Sequence, residues 1–246
     1  MELEICVDSV ESAIAAASGG AERIELCSAL SEGGITPSAG LIDTVRAAVS
    51  IQLFVIIRPR GGNFVYSETE LDVMRKDIVE AKARGVDGVA LGVLTSEGTV
   101  DQARTTELVR WARPLQVTFH RAFDVCADMD RALEDVIACG ADRLLTSGGK
   151  TDAVKGMEAI AGLQRKAGNR IRIMAGGGIR ISNVRNLALR TGIREVHTSL
   201  STQVKSAAFD SGVEVNALHG PFTRFLVREN DVRAFKSVLH AIPAGD

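Results

Sequence analysis

The chain has 246 residues, a formal net charge of −2 and four cysteines. A charge so near zero provides no general attraction to nucleic acid or to an anionic membrane surface, so we expect neither as a partner. The amino-terminal segment lacks the basic and apolar regions of a secretory signal, and no stretch of about 18 apolar residues predicts a membrane span. We therefore expect a cytoplasmic protein whose cysteines, which lack zinc-type spacing, are reduced thiols.

Eight short apolar segments rich in β-branched residues follow one another along the chain and predict eight β-strands. Four of them follow a turn glycine in a shared pattern: GGAERIELCS at 19–28, GVDGVALG at 85–92, GADRLLTSG at 140–148 and GIREVHTS at 192–199. The other four lie at 2–7, 51–59, 115–122 and 171–177. The interval between successive copies of the pattern is long enough for two βα units, since one unit needs about 30 residues.

Amphipathic segments separate the predicted strands. One begins at the sequence SETE at 67–70, which predicts a capping box, and a last helix is predicted at 231–242. Eight alternating units with fourfold internal similarity predict an α/β fold, a single-domain (βα)8 TIM barrel over residues 1–246. The alternative is an open flavodoxin-like or Rossmann sheet, which the number of units and their symmetry disfavour.

Polar residues concentrate where the predicted strands end, which is the face of such a barrel that carries function. Period-two alternation places Cys6 with Glu4 on one face of the first strand and Cys27 with Glu25 on one face of the second. The same alternation places His120 on one face of the fifth strand. We assign these faces to the interior of the barrel.

Glu25 lies on a strand of isoleucine and leucine, where a buried carboxylate is costly without a cationic partner. We expect that partner to be Arg58 or a protonated His120. Two interpretations remain open. The pair is either a structural ion pair inside the barrel, or part of a site in which Glu25 and His120 transfer protons.

Arg58 and Arg60, in the sequence RPRGG, carry guanidinium forks that match carboxylate and phosphate oxygens, so both are candidates for holding an anion; one of them can equally be an ordinary surface arginine. Gly176, Gly177 and Gly178 follow the seventh strand, where many barrels bind phosphate through backbone N–H groups. Their spacing lacks the GxGxxG pattern of a dinucleotide site. The other ligand-binding candidates at strand ends are Asp124, Thr146, Ser147, His197 and Ser199.

Cys6 and Cys27 end adjacent predicted strands. Because neighbouring strands lie about 4.8 Å apart, both thiols can reach one soft metal ion such as copper(I). The alternative is that they are small buried side chains, since free cysteine is among the most buried residue types. Cys126 and Cys139 are predicted to be structural. We assign no role to residues 200–230, which include His219.

Seven motifs together resemble the CutC family: EICVDS at 4–9, GGAERIELCSALSEGGITPS at 19–38, IIRPRGGNFVYS at 56–67, TFHRAFD at 118–124, LTSGG at 145–149, MAGGGI at 174–179 and EVHTS at 195–199. The resemblance runs from residue 3 to about residue 199, and RPRGG together with TFHRAFD makes it specific. It departs from the family pattern at Asn63 and at Glu97, where an aspartate is usual.

The resemblance implies a cytoplasmic, homo-oligomeric TIM barrel with a part in copper homeostasis, and it implies copper(I) binding by Cys6 and Cys27. Two functional hypotheses follow. The first is a copper(I)-binding homeostasis protein. The second is a lyase, isomerase or hydrolase acting on a small anionic or phosphorylated metabolite, with Glu25 and His120 as candidate catalytic residues. A purely structural role is a third alternative, which the many charged residues at the predicted barrel mouth disfavour.

Overall fold

Eight parallel strands close into a barrel in the computed structural model, which describes residues 1–205 and 223–243. His219 lies outside the described residues. The barrel closes where the last strand pairs with the first, with Glu4 opposite His197. The strands are β1 Glu2–Val7, β2 Arg23–Leu26, β3 Gln52–Ile56, β4 Gly88–Leu91, β5 Gln116–Phe119, β6 Arg143–Thr146, β7 Arg172–Gly176 and β8 Glu195–Thr198. The closed barrel is confirmed, and each strand lies inside its predicted segment.

Helices follow the strands and pack their apolar faces on the outside of the barrel. They are α1 Val10–Ser18, α2 Ala39–Ala48, α3 Glu68–Ala83, α4 Gln102–Ala112, α5 Met129–Ala138, α6 Met157–Ala167, α7 Val184–Thr191 and α8 Glu229–His240. The predicted capping box begins α3, because the Ser67 hydroxyl accepts from the Glu70 N–H and the Glu70 carboxylate accepts from the Ser67 N–H. The last helix begins two residues before its predicted start.

An antiparallel pair of strands, β9 Ser201–Lys205 and β10 Thr223–Val227, follows the barrel and was not predicted. The pair is anchored to α1, since the Val227 N–H donates to the Ser12 hydroxyl at 3.2 Å. Residues of β10 reach the mouth of the barrel. In the part of the chain that the structure describes, no helix combines the length and apolar character that crossing a bilayer requires.

The amino-terminal layer of the barrel interior holds four buried charged side chains, which we call the amino-end network: Arg23, Arg143, Glu4 and Glu195. Arg23 donates to Glu4 and, at 2.7 Å, to Glu195, and Arg143 also donates to Glu195. Both guanidinium groups stack on the Phe54 ring. Because every charge in this layer has an opposite charge in contact, the network offsets the desolvation that burial imposes.

Candidate functional site

A cavity of about 690 Å³ opens at the carboxyl ends of the strands. Its volume is in the range of small-molecule sites, about 300–1,000 Å³. The predicted site residues that line it are Cys6, Glu25, Arg58, His120, Gly177, Gly178, His197 and Ser199. The sequence therefore predicted the location of the cavity and about a third of the residues that line it.

The two predicted metal ligands are in contact, with the sulfur atoms of Cys6 and Cys27 3.2 Å apart. Parallel pairing of β1 and β2 explains this, since Cys6 lies opposite Glu25 and the Cys27 N–H donates to the Val7 carbonyl. Cys6 lines the cavity, and Cys27 is buried directly behind it. Access from the cavity is therefore through Cys6.

Glu25 completes a three-residue cluster with the thiols, in which one ligand atom from each residue lies within 4.8 Å of the others. Its carboxylate accepts from the Cys27 thiol at 3.5 Å. Burial, followed by the negative charge of the neighbouring Cys6 thiolate, raises the pKa of Glu25 to about 8. At neutral pH this carboxyl group is therefore protonated.

The cation nearest to Glu25 is His197, whose Nε2 atom lies 4.0 Å from the Glu25 carboxylate. The other ring nitrogen, Nδ1, lies 2.7 Å from the Glu4 carboxylate. Burial opposes ionisation of Glu4, but Arg23 and His197 outweigh it and lower the pKa of Glu4 to about 2. Burial also opposes a charge on His197, yet its bonds to Cys6 and Glu4 raise the pKa of His197 well above its usual value. His197 is therefore an imidazolium ion.

The thiol pair holds a single proton at neutral pH. The hydrogen bond with Cys27 outweighs burial, and together with His197 it lowers the pKa of Cys6 to about 6. The same hydrogen bond, with burial and the charge of Cys6, raises the pKa of Cys27 well above its usual value. Since the thiolate is the form that binds metals, Cys6 is already in its binding form.

His120 is not the expected cationic partner of Glu25. Burial, and next the positive charge of Arg58, lower the pKa of His120 to about 3. Its Nδ1 atom accepts from the Ala122 N–H at 3.2 Å, so the proton of the neutral ring is on Nε2. This arrangement leaves no free lone pair to accept a proton, which removes the basis for the predicted role of His120 as a base.

Arg58 does not pair with Glu25 either. Its guanidinium donates to the carbonyl groups of Glu32, Gly34 and Gly62 and stacks on the Phe64 ring. An arginine with this many backbone partners fixes the loops after β2 and β3, so most of its fork is not free to hold an anion. Among the described residues, its Nε atom has no hydrogen-bond partner, and ligand binding by Arg58 stays a prediction.

Arg60 points away from the cavity and does not line it, which corrects its prediction as an anion-binding residue. It donates to Glu70 at 2.5 Å and to the Val65 carbonyl at 2.9 Å. The Glu70 carboxylate also caps α3, so Arg60 ties the loop after β3 to the start of that helix. It is the ordinary surface arginine of the RPRGG pair.

Asp124, Thr146 and Ser147 form a buried hydrogen-bond cluster that lies outside the cavity lining. Asp124 accepts from the Thr146 hydroxyl at 2.5 Å and from the Ser147 N–H at 2.9 Å, so it joins the loops after β5 and β6. Gly176 also lies outside the lining, because it is packed against Leu145, where a Cβ atom would lie 2.6 Å from the leucine Cδ1. The predicted ligand contacts of these four residues are therefore replaced by structural ones.

Three arginines that line the cavity were missed: Arg121, Arg180 and Arg224, the last of which lies on the unpredicted strand β10. Arg121 follows His120 directly in TFHRAFD, and Arg180 follows GGGI directly. Both lie immediately after a strand end, which is the signal that identified the other candidates. Glu4 was placed on the interior face but not assigned to the site, because its contact with His197 depends on closure of the barrel.

The architecture and this cluster define a TIM-barrel protein with a candidate metal centre at the carboxyl ends of β1 and β2. The family model described as CutC family matches residues 1–202. The chain belongs to the CutC family.

Curated relatives agree with this assignment over most of their length. A family protein CutC from Xanthomonas campestris pv. campestris (strain B100) is 44% identical over 242 residues, which cover 98% of this chain and 99% of the relative. A human protein named copper homeostasis protein cutC homolog is 49% identical over 197 residues, covering 80% of this chain and 72% of the relative.

Solved structures show the same fold. CutC from Streptococcus agalactiae is 33% identical, with a TM-score of 0.77, and the match covers 81% of this chain and 98% of that chain. The match to thiamine phosphate pyrophosphorylase from Pyrococcus furiosus has 18% identity and a TM-score of 0.59, and it covers 98% of this chain and 96% of that chain. The second likeness concerns the barrel fold alone.

Proposed function

We propose that the protein binds copper(I) through Cys6 and Cys27 as part of copper homeostasis. The observation that carries this proposal is the contact between two thiols 3.2 Å apart, with the Glu25 carboxyl group beside them. Thiolates are soft ligands, which copper(I) and zinc both prefer. The copper homeostasis name of the human relative supports the same function.

The charges around the thiols fit a monovalent ion. Copper(I) with two thiolates carries one net negative charge, which is costly to bury alone. The His197 imidazolium beside Cys6 supplies one positive charge, and the protonated Glu25 adds none. With copper(I) at the two thiolates, the charge of the site is therefore balanced.

The separation of the sulfur atoms also bears on the number of ligands. A thiolate binds a closed-shell ion such as zinc at about 2.3 Å. If the sulfur atoms kept their separation of 3.2 Å, an ion bonded to both would lie to one side of the line that joins them. In that arrangement Glu25 or an incoming group from the cavity would be placed to act as a third donor.

Binding is tested without oxygen, by titrating copper(I) against a chromogenic competing chelator. We expect the wild-type protein to take up one ion in competition and the Cys6→Ser, Cys27→Ser double variant to take up none. Cys139→Ser is the matched control, because Cys139 is buried elsewhere and bonds to the Gln102 carbonyl. Unchanged competition by the double variant would overturn the proposal.

A further inference from the structure

The cavity has a second polar region, away from the thiols, that the copper proposal does not use. It lies on the loop after β7 and on the neighbouring Arg121, while Phe64, Leu30 and Leu145 give the cavity apolar walls. Ligand sites commonly combine apolar walls with a few convergent polar groups.

The loop after β7 presents backbone donors to the cavity. Gly177 and Gly178 both line it, and both have positive φ, +92° and +68°. Among the described residues, the N–H groups of these two glycines have no acceptor. Other residues are excluded here, because they rarely adopt this backbone and a Cβ on Gly178 would lie 2.9 Å from the Asp152 Cβ. Successive N–H groups in such a turn form a concave site for anions.

Two guanidinium groups flank these glycines. Arg121 lies against Gly177, since a Cβ there would be 3.4 Å from its Nη1 atom, and it is oriented by Asp124 at 2.7 Å. Arg180 is exposed and lines the cavity, and its guanidinium donates to the Ile179 carbonyl; within the described part of the chain the guanidinium has no acidic partner. A cation left unmatched beside free N–H groups attracts a negatively charged ligand.

We propose that this cavity binds a small organic anion whose phosphate or carboxylate group lies against Gly177, Gly178, Arg121 and Arg180. The rest of the molecule lies against the apolar walls. The ligand is therefore a phosphate ester or a carboxylic acid that also carries an apolar part. The anion site shares no residue with the thiol pair and does not depend on copper binding.

The test uses inorganic phosphate and acetate as separate probes, followed by amide NMR spectra of the full protein at constant ionic strength. We expect saturable binding of at least one probe, with the largest shifts at the Gly177 and Gly178 amides. Tighter binding of phosphate assigns the ligand to the phosphate esters, and tighter binding of acetate to the carboxylic acids. Absence of saturable binding by both probes, or shifts confined to other regions, would overturn the proposal.

Arg180→Met keeps the aliphatic stem and deletes the fork, and it removes no contact that holds another element. We expect it to weaken binding about tenfold or more, as the loss of a charge-assisted hydrogen bond implies. Arg60→Met is the control, because Arg60 lies outside the cavity, and binding should be unchanged. Equal weakening in both variants would show a nonspecific charge effect and contradict the site. The Cys6→Ser, Cys27→Ser variant should bind the probe like wild type, which separates this test from that of copper.

Discussion

The two ends of the barrel interior both bury charged groups, but they balance them differently. In the amino-end network, the carboxylates of Glu4 and Glu195 contact arginines, which stay charged at any pH a protein experiences. At the carboxyl end, His197 is the one cation in contact with the Cys6 thiolate and the Glu25 carboxyl group among the residues that the structure describes. Fixed charges suit a structural role, and groups that titrate near neutrality suit a site that exchanges protons and ions.

Glu4 connects these two regions. One of its oxygens accepts from Arg23 in the amino-end network, and the other lies 2.7 Å from Nδ1 of His197. The network therefore keeps Glu4 ionised, and ionised Glu4 keeps His197 charged next to Cys6. The structural layer sets the charge state of the site above it.

The largest expected effect comes from breaking the amino-end network. Arg143→Met leaves Glu195 with fewer partners in a buried position, and loss of one partner from a buried ion pair costs about 3–5 kcal/mol. We expect a fall of that size in the free energy of unfolding, measured by urea denaturation. The control is Arg170→Met, whose ion pair with Glu134 is exposed and should cost less than about 1 kcal/mol. Equal losses in the two variants would contradict the structural role of the network.

The next effect concerns the link between the two regions. His197→Gln removes the cation that lowers the pKa of Cys6, and loss of a group that orients a metal ligand typically weakens binding about 10–100-fold. We expect copper(I) affinity to fall by this factor at pH 7, measured by chelator competition. The deficit should shrink at higher pH, where the thiols ionise without help. A deficit that does not change with pH would mean that His197 acts through packing and not through its charge.

The closed eight-stranded barrel could be predicted because its repeats and apolar alternation are local patterns, and the thiol pair because Cys6 and Cys27 end neighbouring strands. The partner of Glu25 could not be predicted. His197 reaches it only because β8 closes onto β1, and this contact between distant parts of the chain leaves no local pattern. Arg58 and Arg60 were placed in the correct loop, but the direction of each side chain depends on the carbonyl groups that surround it. A position near a strand end did not by itself distinguish residues that line the cavity from residues that hold neighbouring loops together, such as Asp124.

A further effect, spread over several pH units, is expected on the pH dependence of stability. The pKa of Glu25 is about 8 in the folded protein against 4.5 for the free group, so between these values the folded state holds a proton that the unfolded chain has released. Its contribution therefore lowers stability as pH rises, by up to about 1.4 kcal/mol per pH unit. Glu25→Gln should remove this slope in urea denaturation between pH 5 and 8. Cys6 contributes the opposite slope, so the difference between variant and wild type is the informative quantity. Parallel profiles would show that Glu25 is not protonated.

The smallest effect is expected outside both regions. Arg60→Met removes a partly exposed ion pair with Glu70, which is worth about 1 kcal/mol or less. We expect nearly unchanged thermal stability and unchanged copper(I) competition. A large loss of copper binding would show that Arg60 contributes to the site, which would contradict its position outside the cavity.

The most direct test of the contrast between the two ends is anomalous diffraction at the copper edge from crystals loaded with one equivalent of copper(I) without oxygen. We expect one strong peak within bonding distance of the sulfur atoms of both Cys6 and Cys27, and none at the amino-end network. A peak at Cys126 or Cys139, or no ordered copper at a protein that competes with the chelator, would contradict the assignment of the carboxyl end as the metal centre.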